Sequence, residues 1–225
     1  MRRRNRRPQM PLSPLAENMD PPQPPPAETT PGRALERLME GNRRFATNRP
    51  EAKDYTAERI AQAQRQQPFA AVLTCADSRV SPELAFDQGP GRVFAIRLAG
   101  NFLNTDGLAS LEYGVGVLDI PLVLVLGHSH CGAVNAAIQA QEPDAPPLPG
   151  ALPELVRSIT PAVEAAKALA PEDMLDEASR QNALIARARI EGATPLIADK
   201  AASGAVKIAA GMFDLSTDEV ELLAH

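Results

Sequence analysis

Three short stretches of the chain are almost continuously apolar, and each is followed by polar or turn-forming residues. They cover residues 69–75, 93–98 and 122–126. A half-exposed strand would alternate apolar and polar positions, so continuous runs are typical of strands that are buried on both faces. Such strands occur in parallel sheets that are covered by helices. The pattern therefore predicts a small, mostly parallel β-sheet.

Between and after these runs, apolar residues recur at every third or fourth position, which is typical of amphipathic helices. This spacing predicts a crossover helix between the second and third strands, with apolar positions at Leu108, Leu111, Val115 and Leu118. Other helices are predicted at residues 34–45, 56–66, 131–141, 155–169 and 176–191, and final strands at 206–213 and 220–223. This order of elements predicts an α/β fold in which helices flank the sheet.

The first 31 residues differ in composition from the rest of the chain. They contain nine of its 22 prolines and show no apolar periodicity. A segment of this kind cannot bury enough apolar surface to offset the entropy that ordering would cost. We therefore expect a disordered, Pro- and Arg-rich tail over residues 1–31 and a single folded domain over residues 32–225.

Composition narrows the classes of function. A net charge of −5 and an aromatic content of 4%, with no Trp, argue against a nucleic-acid partner. No apolar stretch approaches the roughly 18 residues that a membrane span requires, so no membrane partner is expected. Two cysteines are too few for the disulfide framework of a small secreted protein. We therefore expect a cytoplasmic protein.

Both cysteines and one histidine fall where predicted strands end. Cys75 ends the first apolar run, and His128 and Cys131 follow the third as an H-x-x-C motif at a helix start. Side chains at the carboxyl ends of parallel strands can converge, and two thiolates with one imidazole suit Zn²⁺. The pattern predicts one Zn²⁺ per chain. The alternative is that both cysteines are small buried apolar residues.

An acidic and a basic residue follow the first cysteine closely. Asp77 and Arg79 stand two and four residues after Cys75, in the string C-A-D-S-R. Together with H-x-x-C, this C-x-D-x-R string strengthens the prediction of a functional site at the strand ends. The alternative is an ordinary surface ion pair, which contributes little to stability.

Four strings of the sequence are similar to those of one known family. They are CADSRV at residues 75–80, RLAGN at 97–101, SLEYG at 110–114 and GHSHCGAV at 127–134. In these strings the chain resembles the β-class carbonic anhydrases, and the resemblance extends over about residues 35–223. It implies that Cys75, His128 and Cys131 are Zn²⁺ ligands. It also implies that Asp77 and Arg79 form a catalytic dyad, with Asp77 a fourth metal ligand only in a closed form of the site.

The resemblance also implies how subunits are arranged. In the family, a parallel sheet carries an N-terminal helical arm that is exchanged across a dimer, followed by C-terminal helices, and the active site lies at the subunit interface. We therefore expect a homodimer or a dimer of dimers. The expected substrate-binding residues are Gln66, supplied by the partner subunit, and Phe94, Ala99, Gly100, Tyr113 and Gly132.

The activity that the resemblance implies is the reversible hydration of carbon dioxide to bicarbonate and a proton by a zinc lyase. Two alternatives stay open. One is hydrolysis of a carbon dioxide analogue, such as carbonyl sulfide or carbon disulfide, on the same zinc site. The other is a non-catalytic structural or regulatory zinc module that Asp77 closes. The family's bicarbonate-inhibited members have a Trp three residues before the first Cys, where this chain has Val72, and this difference favours the open form.

Overall fold

The strands of the computed structural model form one sheet. The structure describes residues 29–55, 60, 63 and 66–224, and its strands are β1 (Ala70–Thr74), β2 (Val93–Arg97), β3 (Leu122–His128), β4 (Lys207–Phe213) and β5 (Val220–Leu222). Within these residues the sheet has five strands in the order β2-β1-β3-β4-β5. The first four strands pair in parallel, and β5 is antiparallel to β4. The predicted, mostly parallel sheet is confirmed.

Helices account for most of the remaining described residues. They are α1 (Pro31–Ala46), α2 (Pro82–Ala85), α3 (Thr105–Gly116), α4 (Gly132–Gln139), α5 (Leu152–Leu169), α6 (Met174–Glu191) and α7 (Pro195–Ala202). The α/β fold is confirmed, and α1, α3, α4, α5 and α6 lie where the apolar periodicity predicts helices. None of the seven helices is long and apolar enough to cross a bilayer.

The apolar pattern does not predict two of the helices, α2 and α7. Each has a proline in its first turn, Pro82 after Ser81 and Pro195 after Thr194. Proline is tolerated at a helix start because the N–H that it lacks would have no partner within the helix there. A Ser or Thr followed by Pro was therefore the local signal for both helices.

Two predicted segments fall largely outside the described residues. The tail predicted at residues 1–31 lies outside them apart from its last three residues, and α1 begins at Pro31 with Thr30 as its N-cap. The helix predicted at residues 56–66 lies outside them apart from residues 60, 63 and 66. Both segments, and the division into tail and domain, stay predictions.

The sheet is buried because helices cover both of its faces. Every residue of β1 and β3 is buried, as expected for continuously apolar strands. On one face, Val72 belongs to an apolar cluster with Leu38 of α1. On the other face, Leu73 belongs to a cluster with Leu111 of α3 and Ile190 of α6. Successive residues of β1 therefore pack against different helical layers.

A third apolar cluster closes the carboxyl end of the sheet. Helices α4, α5 and α6 meet there through Val134, Ile159 and Ala178, and both Cys75 and Cys131 belong to the same cluster. The two cysteines therefore lie in surroundings from which water is largely excluded.

Asn42 of α1 links three parts of the fold. The residue is 2% exposed. Its Nδ2 donates to the carbonyls of Ala85 and Asp218 at 3.0 and 2.8 Å, and its Oδ1 accepts from the N–H of Val220 at 2.8 Å. The side chain thereby satisfies backbone groups at the end of α2, at the β4–β5 turn and at the start of β5.

Asn42→Ala is expected to lower the free energy of unfolding by about 2 kcal/mol or more, because two buried backbone groups, the carbonyl of Ala85 and the N–H of Val220, each lose a partner at a cost of about 1–3 kcal/mol. Glu40→Ala, at an exposed position of the same helix, is the matched control and should stay within about 0.5 kcal/mol of wild type. Urea denaturation measures both values. A loss below about 1 kcal/mol for Asn42→Ala would show that these hydrogen bonds contribute little to stability.

A buried carboxylate holds the segment after α1 against the end of α2. Asp87 accepts hydrogen bonds from Nε of Arg44 at 2.6 Å, from the N–H of Glu51 at 3.1 Å and from the ammonium group of Lys53. Burial raises the pKa of Asp87, but the hydrogen bonds from Lys53 and Arg44 outweigh it and hold the pKa below the ordinary value of 3.8. Asp87 is therefore ionised at neutral pH and pairs with two cations.

Asp87→Asn is expected to destabilise the protein at neutral pH, because the amide loses the charge that pairs with Arg44 and Lys53. A carboxyl group with a lowered folded-state pKa stabilises the fold above its unfolded pKa and ceases to do so as pH falls through the folded value. The difference in unfolding free energy between wild type and Asp87→Asn should therefore be largest near pH 7 and shrink below about pH 4. Denaturant titrations across this range measure it, with the exposed Asp106→Asn as control. A difference that stays constant between about pH 7 and pH 3 would contradict the assigned role.

Candidate metal centre

Two neighbouring strands and one helix start bring three side chains together. Cys75 directly follows β1, His128 is the last residue of β3, and Cys131 is the N-cap residue of α4. Strands β1 and β3 are adjacent and parallel, with Thr74 paired to Leu126, so their carboxyl ends lie side by side. The ligand atoms of the three residues all lie within 4.8 Å of one another, and all three residues are buried.

The donor atoms of this cluster fit a zinc ion. Nδ1 of His128 donates to the carbonyl of Ser129 at 2.9 Å, which leaves Nε2 as the nitrogen with a free lone pair. Nε2 is buried and has no hydrogen-bond partner in the described part of the chain. An unpartnered buried nitrogen next to two sulfur atoms is accounted for if the three atoms share a metal ion. Two sulfur donors and one nitrogen donor are a set that Zn²⁺ prefers.

Neighbouring groups favour the thiolate form of Cys75. Its Sγ accepts hydrogen bonds from the N–H of Gly100 at 3.2 Å and from that of Asp77 at 3.4 Å. The adjacent Cys131 thiol lowers the pKa of Cys75 well below its ordinary value in spite of burial. In turn, Cys75 and burial raise the pKa of Cys131. The two sulfur atoms therefore compete for one proton, and a divalent cation would favour both thiolates.

Asp77 and Arg79 form an ion pair on the loop that follows β1. Arg79 donates to Oδ1 of Asp77 from Nε at 3.0 Å and from its backbone N–H at 2.9 Å, and to Oδ2 from a terminal nitrogen at 2.7 Å. These hydrogen bonds hold the pKa of Asp77 well below its usual range. Oδ2 of Asp77 lies 4.0 Å from Nε2 of His128. The carboxylate therefore borders the three-residue cluster and is held in place by the guanidinium group.

Arg97 holds the same loop from the neighbouring strand. As the last residue of β2, it donates from Nε to the carbonyl of Cys75 at 3.2 Å and from a terminal nitrogen to the carbonyl of Asp77 at 2.6 Å. The sequence alone assigns Arg97 no role, although it lies in the RLAGN string. The available signal was a charged residue at the end of an otherwise apolar strand.

Three of the expected substrate-binding residues lie beside the cluster. Gly100 contacts the sulfur of Cys75, and Ala99 is its exposed neighbour in the loop after β2. Gly132 is the first residue of α4, and a Cβ placed there would meet nothing within 4 Å. There is therefore open space beside Gly132 at the start of α4.

Within one chain, the structure does not bring Gln66, Phe94 and Tyr113 to the cluster. Phe94 pairs in register with Ala71, which lies roughly 13 Å before Cys75 at about 3.3 Å per strand residue. Tyr113 of α3 packs against Phe94, with ring centroids 6.3 Å apart. Gln66 is exposed and precedes β1, at the opposite end of the strand from Cys75. Their expected roles stay predictions.

Comparisons with known proteins agree with one another. Residues 70–220 match the model of a family described as carbonic anhydrase. A carbonic anhydrase of Mycolicibacterium smegmatis is 35% identical over 198 residues, which cover 88% of this chain and 95% of that protein. Carbonic anhydrase 2 of Mycobacterium tuberculosis is 36% identical over 201 residues, with the same coverage of 88% and 95%. The solved structure of a Coccomyxa β-carbonic anhydrase in complex with acetazolamide superposes with a TM-score of 0.66 at 29% identity, over 84% of this chain and 86% of its own.

The fold and the site together define a class of protein, namely parallel α/β proteins with a Cys₂His cluster at the carboxyl end of the sheet. The comparisons identify the family within that class. The chain belongs to the β-class carbonic anhydrases. The resemblance noted in the sequence is thereby confirmed.

Each of the three proposed zinc ligands can be removed singly, by Cys75→Ala, His128→Ala or Cys131→Ala. We expect each variant to lower bound zinc from about one ion per chain to less than about 0.1, because it loses one of three donors. His130→Asn is the matched control. His130 is exposed and has a φ of 54°, a conformation that Asn tolerates better than most residues. Elemental analysis of desalted protein measures the zinc content. Full zinc retention in any one of the three Ala variants would remove that residue from the ligand set.

Proposed function

We propose that this protein is a zinc-dependent carbonic anhydrase that catalyses the reversible hydration of carbon dioxide to bicarbonate and a proton. The observation that carries the proposal is the buried cluster of Cys75, His128 and Cys131, bordered by a carboxylate that Arg79 holds. Membership of the carbonic anhydrase family supports the proposal, as do the names of the relatives.

The three clustered side chains would hold one Zn²⁺ through the sulfur atoms of Cys75 and Cys131 and through Nε2 of His128. When bound, Zn²⁺ supplies the Lewis acidity that makes hydroxide available near neutral pH. The chain itself keeps the donors in place. The carbonyl of Ser129 selects the tautomer of His128, and the N–H groups of Gly100 and Asp77 hold the sulfur of Cys75. Hydrogen bonds of this kind orient metal ligands and tune their donor strength.

Arg79 makes Asp77 an oriented hydrogen-bond acceptor. Two side-chain bonds from one guanidinium fix the plane of the carboxylate, and an ionised carboxylate can only accept. Oδ2 of Asp77 would accept a hydrogen bond from the O–H of the attacking hydroxide and so direct its oxygen lone pair toward carbon dioxide. Asp77 would therefore act on the nucleophile, and Arg79 would act by positioning Asp77.

The start of α4 suits the anionic product. Free N–H groups at a helix N-terminus carry partial positive charge, and the N–H of Gly132 would donate to a bicarbonate oxygen as negative charge develops there. The lack of a side chain at Gly132 leaves room for that approach. Ala99 and Gly100 would line the pocket from the loop after β2.

A second copy of the chain would complete the pocket. Gln66, Phe94 and Tyr113 lie away from the cluster of their own chain, and Tyr113 is 38% exposed although it is aromatic. These positions support a homodimer, alone or as half of a dimer of dimers, in which the three residues line the pocket of the partner subunit. The site would then lie at the subunit interface.

The geometry favours catalysis over a structural zinc module. In such a module Asp77 would be the fourth metal ligand, whereas both of its carboxylate oxygens are engaged by Arg79. Hydrolysis of carbonyl sulfide or carbon disulfide would use the same residues as hydration, so an assay has to separate the two activities.

We place the protein in the cytoplasm, since Cys75 and Cys131 are free and a disulfide between them would remove two of the three proposed ligands.

The zinc-loaded wild-type protein is expected to hydrate carbon dioxide in a stopped-flow assay with a pH indicator. Arg79→Ala is expected to lower kcat by about 100-fold or more while zinc stays near one ion per chain, because Asp77 loses its orientation but the three donors remain. Arg79→Lys should recover only part of the rate, since an ammonium group cannot make two parallel bonds to a carboxylate.

Arg157→Ala is the control for the loss of an arginine. Arg157 forms an exposed ion pair with Glu154 on α5, and its removal should leave kcat unchanged. A zinc-loaded wild-type protein that hydrolyses carbonyl sulfide but does not hydrate carbon dioxide would favour the alternative substrate. Wild-type rates in Arg79→Ala would refute the role of the dyad.

A further inference from the structure

Asn182 of α6 is a buried polar residue that reaches outside its own helix. It is 3% exposed, and its Nδ2 donates to the carbonyl of Gly100 at 2.6 Å. The buried Ser179, one turn earlier on α6, behaves differently, since its hydroxyl donates to the carbonyl of Leu175 within the same helix. Asn182 therefore connects α6 to the loop that follows β2.

Gly100 lies in a tight turn and is confined by its surroundings. Its φ is +76°, a conformation that favours glycine, and a Cβ there would lie 2.6 Å from Cδ1 of Ile159 and 3.1 Å from Cβ of Ala133. The backbone thus passes close to α4 and α5 at a point where only glycine fits. The N–H of Asn101 donates to the carbonyl of Leu98 at 2.8 Å and closes this turn. The amide of Asn182 adds a second bond, which holds the carbonyl of Gly100 itself.

The other side of Gly100 contacts the candidate metal centre. Its N–H donates to Sγ of Cys75 at 3.2 Å. The N–H and the carbonyl of Gly100 belong to adjacent peptide groups joined at one Cα atom, so the bond to Asn182 restrains the backbone next to the N–H that contacts the sulfur. Asn182 is thereby linked to Cys75 through one residue of backbone.

We propose that Asn182 is a positioning residue for the metal centre, which holds Gly100 so that its N–H remains on the sulfur of Cys75. The inference rests on the proposed zinc site. Asn182 donates to the backbone of Gly100 and acts on the sulfur through it. Outer groups that orient metal ligands typically account for about 10–100-fold in metal affinity or activity.

Two variants of Asn182 test this role. Asn182→Leu replaces the amide by an apolar group of similar size, and Asn182→Ala removes it without adding bulk. Ser179→Ala is the matched control, because it removes a buried hydrogen bond from the same helix that stays within that helix. With a chelator in excess, we expect zinc release to be at least about tenfold faster in the Asn182 variants and less than about twofold faster in Ser179→Ala.

Cobalt substitution provides a readout that does not depend on activity. Charge-transfer bands between thiolate and Co²⁺ depend on the orientation of the sulfur donors, so we expect them to shift or weaken in Asn182→Ala but not in Ser179→Ala. Wild-type zinc release with an unchanged cobalt spectrum in either Asn182 variant would overturn the inference. An equal effect of Ser179→Ala would also overturn it, because general loosening of α6 would then explain the result. A wild-type protein that binds neither metal would instead contradict the proposed function.

Discussion

The parallel alignment of β1 with β3 is the constraint on which the candidate metal centre depends. Neighbouring parallel strands end on the same side of a sheet, so Cys75 and His128 meet although they lie far apart along the chain. Helices α4, α5 and α6 cover this end of the sheet and exclude water from it. Nε2 of His128 has no hydrogen-bond partner in the described part of the chain, and a buried polar atom of this kind destabilises the folded state unless a ligand binds it. Metal binding and folding are therefore expected to support one another.

Elements that supply none of the three proposed metal ligands hold the residues around the candidate metal centre through hydrogen bonds. Arg97 at the end of β2 holds the carbonyls of the loop that carries Cys75 and Asp77. Gly100, in the loop after β2, donates to the sulfur of Cys75, and α6 holds Gly100 through Asn182. At the start of α4, next to Cys131, Gly132 has no side chain and leaves open space. Rigid support with nearby open space is what a small substrate requires.

The remaining pocket residues suggest why assembly and activity would be coupled. Phe94 and Tyr113 pack on each other away from the metal end of their own sheet, and Gln66 precedes the amino end of β1. A two-fold symmetric dimer lets each subunit give one set of residues and receive the other. Each proposed pocket would then need both copies, so a variant that separates the subunits would also open the pocket to water.

The sequence by itself determined the buried strands, most of the helices and the residue types at the candidate metal centre, because those features depend on the spacing of nearby residues. Continuous apolar runs indicate strands covered on both faces, and a spacing of three residues keeps His128 and Cys131 near one another across the turn from β3 to α4. Helices α2 and α7 were not predictable from periodicity, since α2 has a single turn and α7 buries only Ile197, so neither shows a repeat of buried apolar positions. Only the tertiary structure decided the hydrogen bonds between the backbone and the side chains of Asn42, Arg97 and Asn182. Each bond joins segments that are distant along the chain, and side-chain spacing carries no information on which backbone group a side chain will meet in the folded protein.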